Sequence, residues 1–225
     1  MGLLTQLSRL LLGPAAEIEA QAAAQRAELL PLPTTITLGG EELTIRRLER
    51  ADREPILAFA RALAPHDLLF LRRDITQPDQ VDAWLDDIEQ GYTISIGAFD
   101  ADGLAGYSTV GRDHMTWTAH VAELRVLLAQ RVRGKGLGRL LTEQAFAIAR
   151  EIGIRKMMAQ MTTDQLAAIA VFRRMGFEPE AVLRNQVLDR DGRLHDLQIM
   201  SLDVDAFRAK VYLARASVES HMLET

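Results

Sequence analysis

Apolar and polar residues alternate along this chain with two different periods, and the switches between those periods mark its elements. Residues 3–12 and 15–30 repeat at helical spacing, with Leu3, Leu4, Leu7, Leu10 and Leu11 on one stripe. Pro31 and Pro33 end that helical arm. Two short runs of strand character follow, at 34–38 and 43–48. The Gly39-Gly40 pair between them predicts a tight hairpin turn, because such turns place residues at positive φ. Asp52 stands where it can cap a helix reaching about Leu63, with Ile56, Phe59 and Ala60 on one face. Pro78-Asp79 opens another helix, whose Val81, Trp84, Leu85 and Ile88 recur at helical spacing.

The second half of the chain is as regular. Runs at 93–99 and 104–110 read as a hairpin closed by Asp100-Ala-Asp-Gly103. A long strand signal covers 116–128. A glycine-rich turn at 134–138 leads into a helix with Leu137, Leu140, Leu141, Ala145, Ile148 and Ile152 on one stripe, stopped by Gly153. Residues 154–161 form a short apolar strand. Asp164 is predicted to cap a helix over 165–175, ended by Gly176. Residues 181–188 and 195–202 make a last hairpin around Asp191-Gly192, and an amphipathic helix starts near Val204. This order predicts an α+β fold with one central sheet. It divides the chain into a helical arm (1–33), a sheet domain (34–203) and a C-terminal helix (204–225). The terminal helices carry too much apolar surface to stand alone in water, so they are expected to cover the domain or form a homodimer contact.

Composition narrows the function. Of 225 residues, 48% are hydrophobic and 25% charged, which fits a globular protein and excludes disorder throughout. The net charge of -5 gives no electrostatic footprint for nucleic acid or an anionic membrane surface. No apolar run reaches the ~18 residues that a spanning helix needs. With no cysteine, disulfides, thiolate metal sites and a cysteine nucleophile are excluded, and a reducing, cytoplasmic setting is expected. His66, His114, His195 and His221 show no metal-ligand spacing, so no metal is expected.

The most informative stretch is Arg131-Val-Arg-Gly134-Lys-Gly136-Leu-Gly138. A strand runs into it and a helix leaves it. Glycines there let the backbone turn tightly and expose successive N–H groups at a helix N-terminus, a geometry that binds phosphate oxygens. Arg131, Arg133, Lys135 and Arg139 add positive charge. A Walker A loop is excluded by Ala129 and Gly136, and the dinucleotide fingerprint by Arg139. The Arg131-x-x-Gly134-x-Gly136 pattern resembles the pyrophosphate loop of the GCN5-related N-acetyltransferases (GNAT family). One strand downstream, Gln165-Leu-Ala-Ala168-Ile-Ala-Val-Phe172-Arg-Arg-Met-Gly176-Phe177 resembles that family's Asn-x-x-Ala…Tyr…Gly-Phe segment. The order of elements over 34–203 is similar too, and it implies the GNAT-like sheet, mixed and mostly antiparallel, flanked by helices.

The resemblance implies acetyl-CoA as cosubstrate and an amine acceptor, either a protein lysine or a small molecule. It implies that Arg131, Arg133, Gly134, Lys135, Gly136, Leu137, Gly138 and Arg139 hold the pyrophosphate. Val126, Leu127 and Leu128 would hold the pantetheine arm, an N–H near Leu128 would stabilise the tetrahedral oxyanion, and Gln165 and Phe172 would lie beside the cofactor. Two positions depart from the family: Gln165 replaces its frequent Asn, and Phe172 replaces the Tyr that often protonates the departing thiolate. An alkyl ammonium, with a pKa of about 10.4, must lose a proton before it attacks, so a base is needed. Glu123, in Ala122-Glu123-Leu-Arg-Val-Leu-Leu, resembles the base of members that acetylate lysines, and His120 is the second candidate. The alternatives are a strand carboxylate paired with Arg125, and a structural histidine. His195-Asp196 reads as a surface or core pair or as part of the acceptor side. A non-catalytic acyl-CoA-binding module is the alternative function, favoured by Phe172.

Overall fold

The computed structural model describes residues 30–68, 71, 73–112, 117–189 and 191–204. The expected helices at 3–12, 15–30 and beyond Val204 lie outside these, apart from their boundary residues. Eight strands form one sheet: β1 (Thr34–Leu38), β2 (Glu41–Arg47), β3 (Thr93–Asp100), β4 (Gly103–Arg112), β5 (Val121–Leu128), β6 (Lys156–Thr162), β7 (Glu178–Leu188) and β8 (Leu194–Asp203). Among the described residues four α-helices accompany them: α1 (Arg53–Ala62), α2 (Pro78–Glu89), α3 (Leu137–Glu151) and α4 (Leu166–Arg174). The strand order is β1-β2-β3-β4-β5-β6-β8-β7. Every neighbouring pair is antiparallel except β5 and β6, which run parallel. Among the described residues no helix is long and apolar enough to cross a membrane.

The β1–β2 turn has Gly39 and Gly40 at φ 60° and 82°, as the Gly-Gly signal requires. The apolar stripes of α1 and α2 bury Ile56, Phe59, Val81, Trp84 and Leu85 on the sheet face that carries Tyr107. Trp84 and Phe59 contact the Tyr107 ring at centroid distances of 4.8 and 5.8 Å. The stripe of α3 buries Leu137, Leu141, Ala145 and Ile148 and packs α3 against β4 and β5. The chain reaches β1 by way of α3, where the Leu30 N–H donates to Gln144 Oε1 at 2.7 Å.

Four local expectations are corrected. The strand read over 116–128 begins at Val121, because residues 117–120 turn, with the Val121 N–H on the Thr118 carbonyl at 2.8 Å and Trp117 exposed. Asp164 does not cap α4. Gln165 holds the cap position without a side-chain bond, and the Asp164 carboxylate lies 3.3 Å from His66 Nε2. Asp52 sits at the start of α1, but its carboxylate takes two hydrogen bonds from Arg46 and one from the Glu49 N–H. β7 starts at Glu178 and carries an irregularity around Asn185, at φ 52°, which the residue pattern does not signal.

Candidate active site

β5 and β6 pair only over Val121–Glu123 with Lys156–Met158, and beyond Glu123 they part. The ladder on the other side of β5 fixes which groups face the gap. The Ala129 N–H bonds the Ala105 carbonyl at 2.8 Å, and antiparallel pairing alternates from there. Val126 and Leu128 therefore turn their N–H and C=O away from β4, toward the gap. Leu127 is buried on the α1 side of the sheet, next to its cross-strand partner Tyr107.

At the end of β5 a short 3-10 turn, Gln130–Val132, leads into the glycine loop. Gly134 and Gly136 have φ of 75° and 95°, values that side-chain-bearing residues rarely adopt. A Cβ at Gly134 would meet nothing within 4 Å, so the space above it is open. Gly138 has a different reason to be glycine: a Cβ there would come within 3.1 Å of Leu128 Cδ1. Among the described residues no acceptor takes the N–H groups of Gly134, Lys135 or Gly136. The first N–H groups of α3, from Leu137, Gly138 and Arg139, lack helical partners by geometry. Together these donors line a concave loop at a helix N-terminus, which fits a pyrophosphate.

The loop's cations are not free. Arg131 donates to both oxygens of Asp100 at 2.9 Å and to the Leu104 carbonyl at 3.2 Å. Burial works to raise the Asp100 pKa, but these bonds outweigh it and hold the carboxyl below its ordinary value. Arg133 bonds Asp67 at 2.6 Å and the Leu128 carbonyl at 3.1 and 3.3 Å, at the edge of the gap. Lys135 bonds Glu41 at 2.6 Å, and Arg139 bonds Glu143 at 2.9 Å. An anion that approached this loop would accordingly meet its backbone N–H groups rather than an unpaired cation.

On the α1–α2 side of the sheet, next to the gap, a cavity of about 540 Å³ opens. Glu123 and Arg125 of β5, Tyr107 and Thr109 of β4, and Met158 and Gln160 of β6 line it, with Trp84 and residues of the α1–α2 connection across from them. Arg125 Nε donates to Glu123 Oε1 at 3.0 Å, so Glu123 is paired with Arg125 while it lines the cavity. Burial pushes the Tyr107 phenol above its usual range, and nearby Arg125 pulls it only partly back. Tyr107 is therefore a neutral O–H donor at working pH. His120 is exposed on the turn before β5, outside this lining, and its carbonyl receives the N–H groups of Arg155 and Lys156.

Phe172 is buried edge-on to Phe177, with centroids 5.1 Å apart. Its ring packs α4 on the sheet and carries no donor. His195 bonds Asp189 at 2.8 Å and faces the His66 ring at 6.1 Å. Among the described residues no cluster of three or more metal-ligating side chains forms. The sequence reading missed the cavity residues Arg73, Asp87 and Arg112. They come from three separate segments, and nothing in their local pattern distinguishes them from surface charges.

A splayed parallel strand pair, a glycine loop at a helix N-terminus and an acidic cavity residue beside the splay define an acyl-transfer scaffold. The sequence model of the Acetyltransferase (GNAT) family matches residues 59–177. The chain is similar to L-methionine sulfoximine/L-methionine sulfone acetyltransferase of Pseudomonas aeruginosa, 34% identical over 130 residues, 56% of this chain and 74% of that protein. Its fold is similar to ribosomal-protein-alanine N-acetyltransferase of Brucella melitensis, with a TM-score of 0.63 and 26% identity over 71% of this chain and 98% of that one. It is also similar in fold to yncA of Salmonella typhimurium, solved with its cofactor acetyl-CoA, with a TM-score of 0.61 and 24% identity over 72% and 94%. The chain belongs to the GNAT family and is an acetyltransferase, acting on amine acceptors with acetyl-CoA as cosubstrate.

Proposed function

We propose that this acetyltransferase acetylates a small-molecule amine that enters the cavity in front of Glu123, with Glu123 as the base. The observation that carries this reading is the Glu123 carboxylate in the lining of a 540 Å³ cavity, at the point where β5 parts from β6. A cavity of that size suits a metabolite-sized amine. The similarity to an enzyme named for L-methionine sulfoximine and L-methionine sulfone supports a small acceptor over a protein lysine.

The residues fit acetyl-CoA: backbone N–H groups of residues 134–139 would hold its pyrophosphate, and the gap-facing groups of Val126 and Leu128 would hold its pantetheine arm. Bound there, acetyl-CoA supplies an activated thioester. The acceptor ammonium loses a proton to the Glu123 carboxylate, directly or through water. The neutral nitrogen would attack the acyl carbon, with a backbone N–H near Leu128 placed to stabilise the oxyanion; as the N–C bond forms and the C–S bond breaks, CoA would leave as a thiolate and take up, through water, the second proton that the nitrogen loses. Proximity within one ternary complex supplies much of the acceleration, and no covalent enzyme intermediate is needed.

Release of free thiol from acetyl-CoA, measured over a panel of small amines, tests this reading. Glu123→Gln keeps the acceptor oxygen for Arg125 and removes the proton acceptor. Turnover should fall by about 10²–10⁴-fold while acetyl-CoA affinity stays nearly constant. Rate should recover at high pH, where more of the amine is already neutral. Turnover within a few-fold of the parent would remove Glu123 from the mechanism.

A further inference from the structure

We propose that Tyr107 is a positioning residue of the transfer reaction: its hydroxyl takes a hydrogen bond from the acceptor amine and holds the nitrogen over the thioester. The inference rests on the reading of this cavity as the acceptor site, and it adds a contact that neither the glycine loop nor Glu123 supplies. β4 and β5 pair Gly111 with Glu123, Thr109 with Arg125 and Tyr107 with Leu127, so these residues share one face of the sheet. Tyr107, Thr109, Glu123 and Arg125 are the polar side chains among them, and all line the cavity. Three of these have partners within the protein. Arg125 donates to Glu123 at 3.0 Å, and Thr109 Oγ1 shares a 3.0 Å hydrogen bond with Ser95 Oγ.

Tyr107 differs. It is 2% exposed, and its ring is wedged against Trp84 and Phe59. A buried tyrosine ordinarily finds a partner for its hydroxyl. Among the described residues no group bonds this one, yet the hydroxyl is not sealed in, because the cavity reaches it. Packing does not account for the oxygen. A phenylalanine would fill the same slot and leave no polar atom unpaired. The oxygen is accounted for when a molecule in the cavity completes the bond.

The ladder shows which part of the ligand that is. Tyr107 stands opposite Leu127, between Val126 and Leu128, the residues whose gap-facing groups are assigned to the thioester end of the cosubstrate. Glu123 is farther back along β5, about 13 Å from Leu127 at strand spacing. The base is thus set back from the thioester, and the acceptor nitrogen needs a nearer hold. Burial keeps the phenol above its ordinary range, with Arg125 pulling it only partly back, whereas an alkyl thiol ionises at about 8.5. The hydroxyl therefore keeps its proton and does not pass it to the departing thiolate. Its oxygen accepts an N–H of the amine, which leaves the nitrogen lone pair free to face the acyl carbon. Its own O–H donates to a water on the way to Glu123.

Tyr107→Phe removes the oxygen and keeps the ring. Parent and variant are compared by thiol release from acetyl-CoA with ethanolamine, phenethylamine and L-methionine sulfoximine, alongside melting curves and acetyl-CoA calorimetry. Melting temperature and acetyl-CoA affinity should not fall, since no protein group loses a partner. On every amine that the parent accepts, kcat should drop about 10- to 100-fold. The pH–rate profile should be lowered without changing shape, whereas Glu123→Gln loses the rising limb. Turnover within a few-fold of the parent would overturn the assignment. A melting temperature several degrees lower would also overturn it, by giving the hydroxyl to the fold, and so would loss of the rising limb, by making Tyr107 a proton carrier. Loss of turnover in Glu123→Gln alone overturns only the role of Tyr107. If both variants keep the parent's rates, or the parent accepts none of these amines, the cavity reading itself falls and Tyr107 falls with it.

Discussion

Gly136 offers a direct measurement of how much the cofactor loop relies on backbone conformation. It stands at φ 95°, ψ -5°, at the cap position of α3. A Cβ there meets only Leu38 Cδ1, at 3.8 Å, an ordinary contact. Gly136→Ala therefore adds no clash, and its cost is the left-handed conformation itself, about 1–2 kcal/mol for a residue with a Cβ. That strain can emerge in either of two ways. If the loop keeps its shape, the cost falls on folding, and the melting temperature drops by about 2–8 °C for a chain of this size. If the loop relaxes, acetyl-CoA must restore the shape on binding, and its affinity falls by about 5- to 30-fold. The two losses should sum to a near-constant free energy, read by thermal melting and by acetyl-CoA calorimetry on the same preparation. Gly153→Ala is the control. Gly153 has φ 78° and nothing within 4 Å, but it lies at the far end of α3, so it should lose stability alone. The smaller unfolded-state entropy of alanine acts equally in both variants. If Gly136→Ala changes neither quantity, or Gly153→Ala lowers acetyl-CoA affinity as much, the argument that positive φ shapes the cofactor site is wrong.

Asp100 has its carboxyl held below its unfolded value by Arg131, so the pair contributes stability that is present above a pH of about 3.9 and is lost as pH falls through the lower folded value. Asp100→Asn should melt below the parent at pH 7, with the difference closing under acid conditions; a difference that persists unchanged to pH 3 would refute the linkage. Glu41→Gln frees the Lys135 charge beside the loop and should tighten acetyl-CoA binding a few-fold at low salt, an advantage that fades near 0.15 M salt, where the Debye length is about 8 Å. Glu151→Gln, with the same change in net charge on the exposed last residue of α3, should not; equal effects would show that only overall charge matters.

What the residue order revealed depended on how local the constraint is. The glycine loop is contiguous, and its positive-φ positions and the helix behind it are encoded within residues 131–152, so both were legible. Glu123 could be named as a candidate because it stands on the strand that leads into that loop. The cavity around it was not. Tyr107 and Trp84 carry the pattern of ordinary core residues, and only the pairing of β4 with β5 and the packing of α2 bring them beside Glu123. The false start at residue 116 has an equally local cause. Thr116-Trp-Thr-Ala-His120 has strand composition, but residues 117–120 turn, and Trp117 is not buried by any of the described residues. Burial decides strands more than propensity does.

Charge was the least transferable part of the sequence reading, and the reason is general. Arg131, Arg133, Lys135 and Arg139 cluster beside the phosphate loop in sequence, and each is already paired with a carboxylate of this chain. Three of those partners lie 31 to 94 residues away, beyond any local pattern. Pairing each cation within the chain leaves, on the proposed reading, the backbone N–H groups whose directions the glycines fix as the donors for a phosphate. A cation's value to a ligand is set by what the fold leaves unpaired around it, and that balance becomes visible only when the strands and turns are assembled together.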